Sequence, residues 1–209
     1  LAHIINQSII TGQIPNQLKT AKVLPVFKYK GCTMSDKSDP NNYRPISLLP
    51  IFSKLLEKVI ADQLTRFLEQ NQILYEHQYG FQSKKSTLHP MTHLLNQLGN
   101  AKNEKLITIG VFYDLAKCFD TISHSILLRK MEKLGIRGIE LEWFRNYLGS
   151  RNQFVNVNNE NSLLREINKG VPQGSILGPI LFLIYINDLK NSTILLTLLF
   201  ADDSSFLIS

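Results

Sequence analysis

The chain has 209 residues, of which 44% are hydrophobic and 19% are charged, a balance typical of a globular protein with a sizeable core. This composition excludes a disordered, collagen-like or coiled-coil chain. The formal net charge of +6 is unevenly distributed, because residues 1–105 carry 13 basic and 7 acidic side chains and residues 106–209 carry ten of each. The first half is therefore the part expected to meet an anionic partner.

Cysteine content and hydropathy indicate the compartment. Two cysteines, Cys32 and Cys118, are too few for a disulfide framework or a four-ligand zinc site, so we expect a reducing environment inside the cell, in the cytoplasm and nucleus, and no secretion. The longest apolar stretch, residues 176–186, is interrupted by Gly178 and Pro179, so no membrane-spanning segment is expected. The chain begins without methionine and ends inside an apolar run, which is typical of a fragment, so a missing targeting signal is uninformative.

The first half of the chain is predicted to hold three helices and two strands. Apolar residues at helical spacing mark the helices, and short apolar runs mark the strands. Pro25 cannot donate a backbone hydrogen bond, so it confines the first strand to a sheet edge or a bulge. In chain order the predicted elements are a helix over 1–14, a strand over 21–28, a polar loop over 29–42, a strand over 43–49, a helix over 52–71, a loop over 75–87 and a helix around 90–98.

The second half begins with a nearly continuous apolar run at residues 106–113, which predicts a strand buried on both faces and ending at Asp114. Ser123 is predicted to cap a helix that Gly135 closes, with Ile126, Leu127, Met131 and Leu134 facing inward. The remaining predicted elements are a helix over 139–148, strands over 154–157 and 163–167 around the turn Asn158-Asn159, a loop over 169–175, an apolar helix to about residue 189 and a hairpin over 194–209.

Three carboxylates lie at the ends of these apolar elements. Asp114 follows a strand, and Asp202 and Asp203 stand where the final hairpin turns. An isolated Asp at a turn is usually a local backbone acceptor, but packed residues on both sides would fix the geometry of this pair. Two carboxylates held together repel unless a cation lies between them, and Mg²⁺ is commonly held by carboxylates and substrate phosphates. The pattern therefore predicts a divalent metal site.

A loop rich in glycine and proline, residues 169–179, precedes the last helix. Its glycines flank Pro172 and Gln173, so backbone N–H groups and one amide side chain could approach a planar ligand closely. A purely structural turn that feeds a buried helix is an equally open interpretation, because such turns are common.

Five blocks follow one another between residues 42 and 203. They are Asn42-Tyr-Arg-Pro-Ile-Ser-Leu-Leu, Gln78-Tyr-Gly-Phe-Gln with Ser86-Thr87, Phe112-Tyr-Asp-Leu-Ala-Lys-Cys-Phe-Asp with His124, Gly170-Val-Pro-Gln-Gly-Ser-Ile-Leu-Gly-Pro, and Phe200-Ala-Asp-Asp. In this order they resemble the non-LTR (LINE-type) retrotransposon reverse transcriptases. The final Asp-Asp alone would carry no weight, but a chance match of the whole ordered set is negligible.

This resemblance implies an α+β right-hand polymerase fold, with an antiparallel palm sheet backed by helices and a basic fingers subdomain. The fingers would cover residues 1–105 and 123–168, and the palm residues 106–122 and 169–209. The thumb is expected to be absent and to lie after residue 209, as would any RNase H, whereas an endonuclease would precede the chain. The implied activity is RNA-directed DNA synthesis, with an RNA template, a DNA primer and dNTPs as partners; the oligomeric state stays open.

The resemblance assigns Asp114, Asp202 and Asp203 to two Mg²⁺ ions, with Mn²⁺ as a substitute. One ion would activate the primer 3′-hydroxyl and the other would clamp the triphosphate. Asp203 would act more as an electrostatic supporter than as a direct ligand. Phe119 resembles the aromatic steric gate that would clash with a 2′-hydroxyl, with core packing as the alternative.

Basic and polar residues would hold the nucleotide and the template. Lys28 and Arg44 match positions that bind the triphosphate, a role for which the planar fork of arginine is suited; a solvated surface is an equally open interpretation for Lys28. The other implied contacts are Leu115 and Gln173 for the nucleotide, and Gly174, Lys84 and Lys85 for the template and primer.

The chain departs from the family pattern at Gln82, where arginine is usual, so one cation is lost that Lys84 and Lys85 could replace. Asp120 and His124 match positions with a structural role. Two other interpretations stay open. One is an inactive nucleic-acid-binding remnant of a mobile element; the other is a two-metal nuclease, which leaves Phe119 and the block at residues 170–179 unexplained.

Overall fold

A computed structural model describes residues 1–28 and 37–209 of the chain, so Cys32 and most of the predicted loop over 29–42 lie outside the described residues. The chain divides into two units, residues 1–63 with 119–178 and residues 64–118 with 179–209. The helices and strands are α1 (Ala2–Thr11), β1 (Thr20–Phe27), β2 (Tyr43–Leu48), α2 (Ile51–Gln70), α3 (Leu88–Asn103), β3 (Ile109–Asp114), α4 (His124–Lys133), α5 (Gly138–Leu148), β4 (Arg151–Val157), β5 (Glu160–Asn161), β6 (Arg165–Ile167), α6 (Leu177–Ile186), β7 (Leu196–Phe200) and β8 (Asp203–Ile208).

These elements form a mixed α+β fold, as predicted. The helices expected over 52–71 and 139–148 are confirmed as α2 and α5, and the weaker helix around 90–98 extends to Leu88–Asn103. Asn158 and Asn159 have φ of 50° and 66°, so they form the predicted turn, and β4 pairs across it with β5. None of the helices in the described ranges combines the length and the apolar character needed to cross a bilayer.

The sheet of the first unit is built on β1, which pairs antiparallel with β2 and parallel with β4. The prediction that Pro25 confines this strand to an edge or a bulge is therefore wrong. Pro25 is tolerated because the β4 pairing ends at Val23, so no ladder hydrogen bond on that side requires an N–H from Pro25. β4 also pairs antiparallel with β6 on the segment that starts at Arg151.

The helices of the first unit pack their apolar faces against one another. On α5, the Trp143 indole N–H donates to the hydroxyl of Ser8 on α1, with N and O 3.1 Å apart. On α4, Leu127 and Met131 are buried as predicted, but Ile126 is 41% exposed, so its predicted inward position is wrong. Ser123 stands at the N-cap position, yet its hydroxyl contacts the Ser125 hydroxyl and makes no capping bond to the backbone.

The sheet of the second unit is antiparallel, in the order β3-β8-β7. The predicted hairpin over 194–209 is confirmed as β7 and β8, whose pairing runs from Leu196 opposite Leu207 to Phe200 opposite Asp203. Tyr79, Leu198 and Leu207 form the buried centre of this unit, against which Leu94 of α3 packs. A helix thus covers part of this sheet.

The strand β3 ends at Asp114 as predicted, but the prediction that it is buried on both faces is wrong. Every residue of β3 is exposed, including Ile109 at 60% and Phe112 at 63%. The apolar run reports the character of the side chains and not the number of their neighbours. Among the described residues β3 has β8 as its one strand partner, so it forms an edge of the sheet.

A buried acid links three elements of the first unit. Glu57 on α2 is 1% exposed, and its carboxylate accepts hydrogen bonds from the Tyr147 hydroxyl at 3.0 Å and from the Ile176 N–H at 2.6 Å. Ile176 directly precedes α6, so the negative charge lies at a helix N-terminus, where the helix dipole favours it. The guanidinium of Arg151 lies 4.9 Å from the centre of the Tyr147 ring and donates to the Tyr147 carbonyl.

The substitution Glu57→Ala should destabilise the chain, because it leaves two buried donors unpaired. At about 1–3 kcal/mol for each buried unsatisfied donor, the free energy of unfolding should fall by about 3 kcal/mol in urea denaturation. The control is Glu132→Ala on the exposed side of α4, which should cost less than about 0.5 kcal/mol. Equal losses in the two variants would contradict the linking role of Glu57.

Stability should also depend on pH through this residue. Burial raises the pKa of Glu57 from its ordinary value of 4.5, although its hydrogen bonds and the Arg151 charge oppose the change. The folded chain therefore binds this proton more tightly than the unfolded chain, and the stability that the proton contributes is lost as pH rises through the folded-state pKa. The Glu57→Gln variant cannot ionise, so its unfolding free energy should rise relative to the wild type as pH increases above about 4. A difference that does not change with pH would contradict the raised pKa.

Candidate active site

The end of the second unit's sheet brings the predicted carboxylates together. Asp114, the last residue of β3, is the register partner of Asp203, the first residue of β8. Directly opposed residues of antiparallel strands have Cα atoms about 4.5–5.5 Å apart. The backbone N–H of Leu115 donates to the carbonyl of Asp202 at 3.2 Å, which ties the chain that leaves β3 to the turn of the hairpin. The three acidic residues therefore share one end of one sheet.

The turn itself consists of Ala201 and Asp202, since Phe200 and Asp203 already pair as strand residues. Ala201 has φ of +55°, a left-handed conformation that costs a residue with a Cβ about 1–2 kcal/mol. Such strain persists only where surrounding contacts fix it. The turn that presents Asp202 is therefore held by its environment and not by its own preference.

The electrostatics of the cluster agree with its geometry. Desolvation raises the pKa of Asp203, and the negative charges of Asp202 and then Asp114 raise it further. Within residues 1–28 and 37–209, no three His, Cys, Asp or Glu side chains form a group that could hold a metal ion. Mg²⁺, however, is usually held by one or two carboxylates, with water and substrate phosphates as the other ligands. The oxygen donors and their mutual repulsion fit an ion whose coordination the substrate completes.

In the first unit, the glycine-rich loop is fixed to the segment that follows Phe119. The Val171 N–H donates to the Phe119 carbonyl at 2.8 Å, and a ring nitrogen of His124 lies 2.7 Å from the Gly170 carbonyl, which agrees with the structural role expected for this histidine. Gly170 has φ of +84°, and a Cβ there would lie 2.7 Å from the Asp120 carbonyl oxygen. Glycine is required at this contact.

The other end of the loop is fixed to β2. The Ser47 N–H donates to the Gln173 carbonyl at 2.7 Å. Gly174 has φ of +119°, and a Cβ there would lie 2.7 Å from the Ser47 carbonyl oxygen. Arg44, an exposed residue, lies on the same strand three positions earlier. The first unit therefore brings the Gln173 loop to the strand that carries Arg44 and to the backbone of Phe119.

The lysines predicted to bind nucleotide or nucleic acid differ in the hydrogen bonds that they already make within the chain. Lys28 directs its ammonium to the Asn41 carbonyl at 3.0 Å, next to the start of β2. Lys85 donates to the carbonyls of Glu76 and Gln78, both at 2.8 Å, and burial lowers its pKa. Lys84 is exposed.

The predicted site residues fall in two groups by unit. Lys28, Arg44, Phe119, Gln173 and Gly174 belong to the first unit, and Lys84, Lys85, Asp114, Leu115, Asp202 and Asp203 belong to the second.

Sequence reasoning missed Glu57, Ser47 and Gln78 as residues that support these groups. An acid at a core position of an amphipathic helix was the available signal for Glu57, because Ser53, Glu57 and Ile60 all lie on the buried face of α2. Gln78 lay inside a recognised block without an assigned role. Ser47 acts through its backbone, so its side chain gave no signal.

The proximity of the carboxylates predicts how the Asp203 pKa responds to substitution. In metal-free solution, Asp202→Asn should lower the Asp203 pKa towards its ordinary value, and Asp114→Asn should lower it less, because Asp202 contributes the larger repulsion. A ¹³C NMR titration of the Asp203 carboxyl measures this. The control is Asp62→Asn, which removes an exposed carboxylate paired with Lys58 in the first unit and should not alter the titration. An Asp203 pKa that is the same in all four proteins would contradict the cluster.

Comparison with known proteins identifies the family. A family model described as "Reverse transcriptase (RNA-dependent DNA polymerase)" matches residues 35–209. The chain is 35% identical to "Probable RNA-directed DNA polymerase from transposon BS" of Drosophila melanogaster over 90% of this chain, and 30% identical to "RNA-directed DNA polymerase from mobile element jockey" of the same species over 92%. It spans about a fifth, 20%, of the length of each.

Solved structures show the same fold at low identity. An apo telomerase from Candida tropicalis, truncated from its C-terminal domain, matches with a TM-score of 0.63 and 14% identity over 94% of this chain and 45% of that one. A telomerase from Candida albicans in complex with a telomeric RNA fragment matches with a TM-score of 0.62, again at 14% identity, over 93% of this chain and 39% of that one. With its mixed α+β fold and the family match over residues 35–209, the chain belongs to the reverse transcriptase (RNA-dependent DNA polymerase) family.

Proposed function

We propose that this chain is the catalytic part of a non-LTR retrotransposon polymerase that copies RNA into DNA by adding deoxynucleotides to a primer 3′-hydroxyl. The observation that carries the proposal is the pairing of Asp114 with Asp203 beside the Asp202 turn, in a chain of the reverse transcriptase family. In this proposal the β3-β8-β7 sheet is the palm of a right-hand polymerase, and the basic first half of the chain supplies the fingers.

The carboxylates supply the oxygen donors that this chemistry requires. Asp114 and Asp202 would hold two divalent ions, Mg²⁺ first and Mn²⁺ as a substitute, and Asp203 would add negative charge beside them. When bound, such ions supply charge neutralisation at the phosphates and favour ionisation of the attacking hydroxyl. The register of β3 and β8 supports this proposal because it holds the backbone of Asp114 opposite that of Asp203.

Residues around the glycine-rich loop would bind the incoming nucleotide. The Phe119 ring would exclude a 2′-hydroxyl, and Gln173 would contact the nascent base pair. Leu115, in the second unit, would also bind the nucleotide. Arg44 on β2 and Lys28 would pair with triphosphate oxygens, and the bidentate fork of Arg44 suits that role better than a single ammonium. The glycine contacts at both ends of the loop support this proposal because they fix the backbone that carries Gln173.

Template and primer would contact Gly174 and the loop that holds Lys84 and Lys85. Lys85 already donates to two backbone carbonyls, so Lys84 is the better donor for a phosphate of the nucleic acid. The implied partners are an RNA template, a DNA primer and dNTPs.

One observation favours a second function, that of an inactive RNA-binding remnant. Gln82 occupies the position where the resemblance leads us to expect arginine, and its side-chain amide is turned inward to the Gln78 carbonyl at 2.6 Å. A cation that would contact a nucleic-acid backbone is thus replaced by an internal hydrogen bond.

Primer extension separates these functions. With protein produced from the complete open reading frame, extension of a labelled oligo(dT) primer on poly(rA) in Mg²⁺ should fall by about 100-fold or more in Asp202→Asn, because loss of a metal-binding carboxylate removes several kcal/mol of charge stabilisation. The control is Asp62→Asn on α2, which should extend like the wild type.

Equal extension by Asp202→Asn and the wild type would refute the assignment of the carboxylates. If no protein extends the primer, and both the wild type and Asp202→Asn retain salt-sensitive RNA binding, the remnant function is the correct one.

Sugar selectivity tests Phe119. Phe119→Ala should raise the incorporation of ribonucleotides relative to deoxynucleotides, because removal of the ring opens space for a 2′-hydroxyl. Phe119→Tyr keeps the ring and should keep the wild-type ratio. The measurement is the ratio of kcat/KM for rNTP and dNTP, and a ratio in Phe119→Ala equal to that of the wild type would exclude the gate.

A further inference from the structure

The turn that carries Asp202 is contacted by a buried side chain from a distant segment. Gln78 is 2% exposed, and its side-chain oxygen accepts hydrogen bonds from the backbone N–H of Gly80 at 2.8 Å and of Ala201 at 3.2 Å. Both partners are donors, so the oxygen and not the amide nitrogen must face them. One side-chain atom thus joins the loop after α2 to the tip of the hairpin.

Backbone contacts align the two segments on either side of this bond. The Tyr79 N–H donates to the Leu199 carbonyl at 2.8 Å, and the Leu199 N–H donates to the His77 carbonyl at 2.9 Å. Gly80 approaches the turn so closely that a Cβ there would lie 2.1 Å from the Ala201 nitrogen. The segment therefore follows β7 up to the turn, and any side chain at Gly80 would displace it.

This contact stabilises a strained turn. Ala201 is held at φ of +55° directly before Asp202, and its N–H is the group that Gln78 accepts. Without that acceptor, the N–H would lose its partner, and the turn could relax towards a conformation that alanine prefers. Relaxation at Ala201 would rotate the peptide that leads to Asp202.

Glutamine at position 78 lowers stability in a way that an apolar side chain would not. Among the described residues the Gln78 side-chain nitrogen is buried without a hydrogen-bond partner. A buried unpaired donor is destabilising, and an apolar side chain of the same volume would avoid that cost. The acceptor oxygen is what glutamine provides and methionine lacks.

We propose that Gln78 is a positioning residue that holds the Ala201–Asp202 turn, and with it the carboxylates of Asp202 and Asp203, in the arrangement needed for nucleotide transfer. This inference rests on the proposed polymerase function. Gln78 acts through the Ala201 N–H and contacts neither metal nor substrate.

The test compares Gln78→Met, which keeps the volume and removes the acceptor, with a matched control in the same unit. Asn187 makes a similar pair of hydrogen bonds to residues at the start of the same loop. Its side chain accepts from the Tyr75 N–H at 2.7 Å and donates to the Ile73 carbonyl at 2.9 Å. Asn187→Leu removes two side-chain bonds without touching the hairpin. Gln78→Asn, which is shorter by one methylene, is a second variant that withdraws the oxygen from the turn.

In protein from the complete open reading frame, kcat for primer extension at saturating Mg²⁺ should fall by about 10- to 100-fold in both Gln78 variants, as expected when catalytic groups are misplaced by about 1 Å. The KM for dNTP should change by less than about 3-fold, because nucleotide binding is not what Gln78 supports. Asn187→Leu should retain wild-type kcat even if its thermal stability falls as much as that of Gln78→Met.

Hydrogen exchange provides a readout that does not depend on activity. Exchange at residues 200–203 should accelerate in Gln78→Met and Gln78→Asn, and should match the wild type in Asn187→Leu. Unchanged exchange in the Gln78 variants, or faster exchange with wild-type kcat, overturns the inference. A wild type that does not polymerise refutes the proposed function instead, and the exchange result still decides whether Gln78 holds the turn.

Discussion

The antiparallel register of β3 and β8 is the constraint on which the candidate active site depends. Six residue pairs, from Ile109 opposite Ile208 to Asp114 opposite Asp203, fix the two strands along their length. A slip of one residue would reverse the faces of every side chain on β3 and separate Asp114 from its partner. The backbone ladder therefore opposes the charge repulsion that, after desolvation, raises the pKa of Asp203. Loops alone would relax to separate these charges.

Both units use the same device to place functional residues, namely close backbone contact at glycine. In the first unit, Gly170 and Gly174 lie against the backbone of other segments, so the loop between them has little freedom. In the second unit, Gly80 does the same against Ala201. Buried polar side chains complete each contact, Glu57 at the start of α6 and Gln78 at the hairpin turn. The side chains proposed to bind nucleotide and metal thus lie on segments that are fixed by contacts with other segments.

The sequence predicted what local pattern and family resemblance can specify, and failed where the outcome depended on neighbours. The α2 helix and the hairpin at the C-terminal end follow from apolar spacing, and the meeting of Asp114 with Asp203 follows from the resemblance. The predicted burial of β3 and the predicted edge position of β1 were wrong. Neither an apolar run nor a proline in a strand indicates how many strands flank that strand. The contact of Gln78 with Ala201 joins residues 123 positions apart, and no local pattern encodes it.

The exposed β3 places an open sheet edge beside the candidate active site. An edge strand with apolar side chains such as Ile109 and Phe112 on its surface is a template for strand pairing with another molecule. A second copy that paired along β3 would add a strand to the sheet edge that ends at Asp114. Pairing by this route would place another strand beside Asp114, and a protein segment that covered β3 would prevent it.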